Sequence, residues 1–421
     1  MRLALSWSLP QTAQIAIATT LSVLAVTAQK GDEPAPIFTA AALLAPGVVK
    51  GAHHTVNQAV RTEGYFHEFT LSSSFGTFEA VGLTELAVRI QEINALAALQ
   101  DVSKTEVFLA AAGQSVVRIG QSAAGVVTDP AGTAKGIGAG IKRFGVNLGR
   151  RTQRAVESAS DSDTSAESQA KDKDSAAEST AKGVLGVTAA TRRWARKVGV
   201  DPYTANVVLR QALADIGKVD AAGSIATKVV LPIPVVVGMT STVGDLVWSK
   251  DPEEVRKINE QRLRELTVSD EVAKTLFRNP SFTLTYQTRL IAALRGVNVS
   301  GCADYVKTAA EARSGREALF FVESAEMLQQ WHSRQPVQAV LTDSRAMVAA
   351  GRDRHARVLL PLDWVRWTEV TESALNGIDA RARSELKTTH LWIALTGRAS
   401  DRAAREIGTR GWEMVPSTSK P

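Results

Sequence analysis

The side chains able to do chemistry in this chain are few: six histidines, one cysteine and a scattering of acids and arginines. His53, His54 and His67 fall in or beside one stretch of strand-like alternation, where imidazoles could converge on a metal. Neighbouring strand residues point to opposite faces, so His53 and His54 cannot share a site without a bulge; they read as solvated or hydrogen-bonded, with no metal. Cys302, in "VSGCADYV", has no base near it in sequence and reads as a small buried side chain rather than a nucleophile. "LTGRAS", Leu395 to Ser400, lies between a strand and a helix start, where free amides and Arg398 could hold a phosphate or carboxylate; ordinary capping of a β-α junction is the plainer reading. There is no serine-nucleophile elbow, zinc-protease helix, Walker loop or dinucleotide-binding glycine fingerprint, and Gly136, Gly138 and Gly140 fail the spacing. No cofactor is implied. An enzyme would have an unrecognised site in the C-terminal part, with Asp363, Trp364, Trp367 and Arg398 as the side chains to inspect.

A second constellation is physical rather than catalytic. In "GTAKGIGAGIKRFGVNLGRR", wound as a helix at about 100° per residue, Ile137, Ile141, Phe144 and Leu148 share one narrow sector. Lys135, Lys142, Arg143, Arg150, Arg151 and Arg154 spread over the other side, and Val146 alone is misplaced. Basic outside and apolar within suits a helix lying on an anionic membrane surface or against an envelope protein; the bland alternative packs the stripe on its own domain. Gly132, Gly136 and Gly140 permit close approach of another helix, although each glycine weakens the helix by up to about 1 kcal/mol. Nothing in the pattern specifies an oligomeric state.

The elements that must position these groups follow from composition. A hydrophobic fraction of 44% and a charged fraction of 22% are those of a folded globular chain, and a length of 421 residues suggests two or three domains. The net charge of +6 is modest for that length and argues against a nucleic-acid protein. Residues 1–28 carry Arg2, an apolar run and a small-residue site ending at Ala28, the pattern of a secretory signal, removed or retained as an anchor. The remainder is thereby expected in the periplasm or cell envelope of a Gram-negative bacterium. A single cysteine gives no internal disulfide, so the exported chain must rely on packing. From 158 to 182 the chain has no aromatic and no large aliphatic residue and reads as a disordered linker. It divides a region 29–157, bearing the basic glycine-rich helix, from a larger region 183–421, which holds every tryptophan after residue 28.

In the first region, alternation around Tyr65, His67, Phe69 and Leu71 predicts an antiparallel meander, with turns at Glu63-Gly64 and Ser72 to Ser74. Leu86, Ile90, Ile93 and Ala97 predict a helix with a Glu85–Arg89 pair on its wet side, and Ser103 with Glu106 predicts a capping box starting another. In the second region, Asp201-Pro202 and Asp251-Pro252 predict helix starts, and Ser314 with Glu317 a third. Val229 to Gly244 is too short for the about 20 residues of a bilayer span and reads as a buried extended segment. "VQAVLTD", "ARVLLPL" and "DWVRWTEV" predict strands, Glu372 to Leu386 a helix, and "HLWIALTG", "SDRAAREIGTRG" and "WEMV" a final β-α-β unit. The fold class is α+β: a small antiparallel sheet with helices, a linker, then a mostly helical region ending in an α/β unit.

The segments "EGYFHEFTLSSSFGTFEAVGLTELAVRIQEINALAALQDVSKTEVF", "DPAGTAKGIGAGIKRFG" and "WARKVGVDPYTAN", with the acidic linker between the last two, resemble a group of exported proteobacterial proteins with no established activity. The resemblance implies export and architecture and assigns no functional residue. The function expected is that of an exported, non-enzymatic envelope protein acting through membrane-surface or partner contacts. The alternatives are an enzyme in the C-terminal domain and a secreted effector whose glycine-rich segment inserts into a target bilayer.

Overall fold

The structure, a computed structural model, describes residues 31–105, 108, 187–223 and 238–416. Residues 1–28, the glycine-rich stretch, the segment 158–182 and most of Val229 to Gly244 lie outside the described residues. The fold is mixed α+β.

The first sheet is antiparallel, built from β1 (Ile37–Thr39), β2 (Thr55–Val56), β3 (Ala59–Glu63), β4 (Phe66–Ser73) and β5 (Gly76–Val81), around the central β4. The meander is where alternation put it. Gly64, at φ 62°, supplies the left-handed turn residue between β3 and β4. Two short helices, α1 (Ala40–Leu43) and α2 (Pro46–Val49), sit before β2, and α3 (Leu83–Ser103) follows β5. Leu86, Ile93 and Ala97 face the core as their spacing requires. Ser103 does not open a helix, however: it closes α3, and its hydroxyl donates to the Gln100 carbonyl at 2.6 Å.

Among the described residues eight helices follow: α4 (Ala189–Val198), α5 (Val207–Gly223), α6 (Ser241–Ser249), α7 (Pro252–Glu265), α8 (Asp270–Arg278), α9 (Leu284–Arg295), α10 (Cys302–Ala309) and α11 (Gly315–Arg334). Asp251 and Ser314 stand at the N-caps of α7 and α11 as expected. Asp201 does not cap a helix. Its carboxylate accepts the Tyr203 amide at 2.8 Å and closes a turn, and Asn206 opens α5 by accepting the Val208 and Leu209 amides. The end of the expected extended segment is also helical, because Thr240 accepts the Val243 amide and starts α6.

The second sheet runs β12-β10-β8-β7-β6, with β6 (Val337–Asp343), β7 (Ala346–Gly351) and β8 (His355–Leu360) antiparallel. β8, β10 (His390–Leu395) and β12 (Glu413–Pro416) are parallel, joined through α12 (Glu369–Glu385) and α13 (Asp401–Thr409). "DWVRWTEV" forms only the two-residue β9 (Trp364–Val365), paired with β11 (Arg398–Ala399), because Thr368 accepts the Thr371 amide and turns the chain into α12. Helices α8 to α11 cover one sheet face; α12, α13 and the Tyr65-Phe66 hairpin of the first sheet cover the other. No described helix is long and apolar enough to cross a membrane.

The two regions delimited in the sequence share a core cluster. Phe69, Leu71, Leu86, Ile93 and Leu96 of the first pack in one cluster with Trp194, Leu209, Leu213 and Ile216 of the second. The Tyr65 carbonyl accepts the amides of Asp363 and Trp364 at 3.0 and 3.1 Å, and the Asp363 carboxylate accepts those of His67 and Leu83. Cleavage within 158–182 is therefore expected to leave two fragments that co-elute on gel filtration in native buffer and separate only in denaturant. Separate elution without denaturant would show that the shared core is not what joins them.

Candidate functional site

The ten residues expected to meet a membrane or partner, Lys135, Ile137, Ile141, Lys142, Arg143, Phe144, Leu148, Arg150, Arg151 and Arg154, lie outside the described residues. His355 and His390 meet edge-on at 5.6 Å between ring centroids, whereas His54 and His67 have separate partners. His54 Nε2 lies 3.0 Å from the Val48 carbonyl, and His67 Nδ1 lies 2.7 Å from the Thr62 hydroxyl, edge-on to Phe38 and Phe69. Burial pushes the His67 imidazole down to about 4, so it is neutral at pH 7. Among the described residues no three His, Cys, Asp or Glu side chains are grouped for a metal. Cys302 begins α10, and burial raises its thiol away from the reactive thiolate form.

The four C-terminal residues singled out for an enzyme do not form a site. Asp363 is 9% exposed and has both carboxylate oxygens on backbone amides, His67 at 3.0 Å and Leu83 at 3.3 Å. Burial pushes it up to about 6 against those amides and Arg316. Trp364 packs edge-on to Phe38, Trp367 is stacked under Arg410, and Arg398 is exposed beside them in β11. At "LTGRAS" the structure supplies its own anion. Glu33 Oε2 accepts the Ser400 hydroxyl at 2.6 Å and the Trp367 amide, while Ser400 caps α13 through the Ala403 amide at 3.0 Å.

The polar residues that do converge are elsewhere. A cleft of about 720 Å³, open solvent at its mouth included, lies between α3, the turn at Asp201 to Ala205, Gly238-Met239 and α9. From α3 come Glu85, Arg89 and Glu92. The i, i+4 pair exists, with Arg89 Nη2 3.3 Å from Glu85 Oε1, but it faces this cleft rather than open water: Arg89 is only 14% exposed. Its Nη1 bonds Glu92, and Nε the Glu79 carbonyl, so each guanidinium nitrogen has a partner. Burial alone would lower its affinity for a proton, but Glu92 and Glu85 raise it. Glu92 is 3% exposed and is satisfied by Arg89, the Thr204 hydroxyl and Asn206 Nδ2, which ties α3 to the turn before α5.

Three groups in this cleft are not fully used. Asp201 Oδ1 accepts the Tyr203 amide and the Thr285 hydroxyl, the latter at 2.6 Å, and Oδ2 has no hydrogen-bond partner among the described residues. Arg289, 6% exposed, grips Glu326 of α11 through Nε and Nη2 at 2.8 and 2.9 Å and leaves Nη1 without one. Gly238, at φ 74°, lies against that guanidinium: a Cβ there would sit 3.6 Å from Nη1. Tyr286, one turn before Arg289 on α9, has an unbonded hydroxyl, raised by burial and then by Glu85. Burial pushes Asp201 up to about 6 against the hydrogen bonds of Thr285 and Tyr203. Sequence reading found Glu85, Arg89 and Asp201 but in other roles, and did not single out Tyr286 or Arg289. Their i, i+3 spacing on a mostly apolar helix was the available signal.

Asp201 also yields a stability test. Its folded pKa lies above the unfolded value near 4, so the proton favours the fold, and this contribution is lost as pH rises from about 4 to about 6. Asp201→Asn cannot ionise. Its stability relative to the parent is expected to climb over that window, by up to about 3 kcal/mol, and then stay level. Urea unfolding at several pH values measures the difference, and a flat difference would mean that Asp201 is solvated. No family model, no curated protein and no solved structure matches this chain.

Proposed function

We propose that the protein is an exported component of a Gram-negative envelope that works by binding, with the cleft between α3 and α9 as the seat of a small polar solute. The observation that carries the reading is the set of unspent groups in that cleft, Asp201 Oδ2, Tyr286 Oη and Arg289 Nη1, in a cavity walled by both chain regions. These groups open on the cleft, where a solute can pair with them in place of water. A thermal-shift screen of small polar solutes tests this. At least one is expected to raise Tm for the parent and not for the double variant Asp201→Asn, Tyr286→Phe. A full screen without such a solute would remove the reading.

Export rests on the N-terminal pattern of residues 1–28, and the contact with an anionic membrane surface or envelope protein rests on the stripe from Lys135 to Arg154. The purified protein is expected to co-sediment with vesicles containing anionic lipid at low salt and to be released as salt rises, since screening acts over about 8 Å at physiological ionic strength. Changing Lys142, Arg143 and Arg150 to Glu is expected to abolish co-sedimentation, because each basic residue contributes up to about 1 kcal/mol. A second reading, an enzyme, is favoured by one feature: burial pushes the Asp201 carboxyl in the cleft up to about 6, toward the range of a general acid or base. Proton NMR of a bound solute left with the protein separates the two, because turnover gives new resonances and binding gives none.

A further inference from the structure

The unspent groups have opposite signs, and that selects a ligand. Resting on the binding reading above, we infer that the cleft takes a small zwitterion of the α-amino acid class, its carboxylate on Arg289 Nη1 and the Tyr286 hydroxyl and its ammonium on Asp201 Oδ2. Arg289 is the donor for the carboxylate because it is buried, fixed by its bidentate pair with Glu326, and keeps one free edge among the described residues. The Tyr286 hydroxyl, on the same face of α9, supplies a second neutral donor. Arg89 is the poorer candidate, because each of its nitrogens already has a partner and its charge is matched by Glu85 and Glu92. Asp201 is the only one of the cleft acids with an unbonded oxygen among the described residues, since Glu92 is satisfied at both oxygens and Glu85 accepts the Val81 amide and Arg89. It is also held in place at Oδ1 by two donors, so Oδ2 is a preset acceptor.

Simpler ligands fit less well on the same groups. A phosphate would find one guanidinium edge and three carboxylates, and the like charges oppose it. A divalent cation would meet two guanidiniums. A monoamine or a monocarboxylate would leave one end of the set unpaired in a partly desolvated cleft, which is costly. The rest of the lining carries no charge, mixing apolar Val88, Val200, Met239 and Leu319 with polar Thr84, Gln91, Thr283 and Thr285, and suits an uncharged side chain on the ligand rather than another charge.

Isothermal titration of the full chain with free α-amino acids bearing uncharged side chains tests this, beside matched primary amines and matched carboxylates that lack the other charge. At least one amino acid is expected to bind, with both analogue types weaker by about tenfold or more, since charge-assisted hydrogen bonds are worth roughly that each. Asp201→Asn and Tyr286→Phe, which keep shape, are each expected to weaken binding about tenfold while the urea unfolding transition of the protein stays cooperative. Amines or carboxylates binding as tightly as the amino acid would overturn the zwitterion and leave the cleft reading standing. Amino-acid binding unchanged in both variants, or no binding by any amino acid at millimolar concentration, would overturn it also; in the last case the solute screen still decides the cleft.

Discussion

Arg316→Ala is expected to lower the unfolding free energy by about 3–5 kcal/mol at pH 7, the usual cost of removing one partner from a buried charge network. Arg316 is 8% exposed on α11 and ties that helix to the first sheet. It pairs with Glu323, donates to the Val81 carbonyl of β5 at 3.4 Å, and lies over the Phe66 ring of β4 at 4.2 Å. It is also the cation that opposes the burial of Asp363, whose carboxylate binds the His67 and Leu83 amides. Without it the buried Asp363 and the half-buried Glu323 lose the cation between them. The sign of the pH dependence follows. Asp363 already has a folded pKa above its unfolded value, and losing Arg316 raises it further, so the deficit grows as pH rises from about 4 through 6 and shrinks in acid. Chemical denaturation at pH 7 and pH 4.5 measures both quantities. A loss under about 1 kcal/mol, or one that is larger in acid, would show that the network is exposed to water.

The second large effect is expected at Trp194→Ala, about 3–5 kcal/mol from the transfer of a whole indole and the cavity left behind. Trp194 is fully buried on α4, in the cluster that contains Phe69 and Leu71 of β4 and Leu96 of α3. Because the cavity opens in a core built by both regions, amide exchange should quicken in β4 as well as in α4 and α5, in proportion to the lost stability. Quickening confined to α4 and α5, with β4 protected as before, would mean that the N-terminal sheet is stable without the second region.

What was legible in the sequence was local. The meander showed because one face of β4 is apolar and its turns carry Gly64 and Ser74; the caps at Ser314 and Ser400 showed because a hydroxyl needs only the next amides. The final β-α-β unit was bounded by Ser400 and Gly411. β7 was missed for a physical reason. "AMVAAG" is buried on both faces, so it has no alternation, and its alanines carry no strand preference. The shared core was missed because the packing that puts Phe69 and Trp194 in one cluster spans a long stretch of chain and leaves no periodic mark. At the cleft the sequence misled. An i, i+4 Glu–Arg pair on a helix is usually solvated, and Asp-Pro usually starts a helix; here the turn at Asp201 to Ala205 and α9 wall the cleft that the pair faces, and Tyr203 turns the chain back at Asp201. Nothing within a few residues of Asp201 says that Thr285 will meet it.

The most direct test of binding at the seam of the two regions is a crystal structure of the protein with the solute that most raises its Tm. The result expected is ligand density between α3 and α9, with polar atoms within hydrogen-bond distance of Asp201 Oδ2, the Tyr286 hydroxyl and Arg289 Nη1. Density for the same solute elsewhere on the molecule, with this cleft holding only water, would contradict the account.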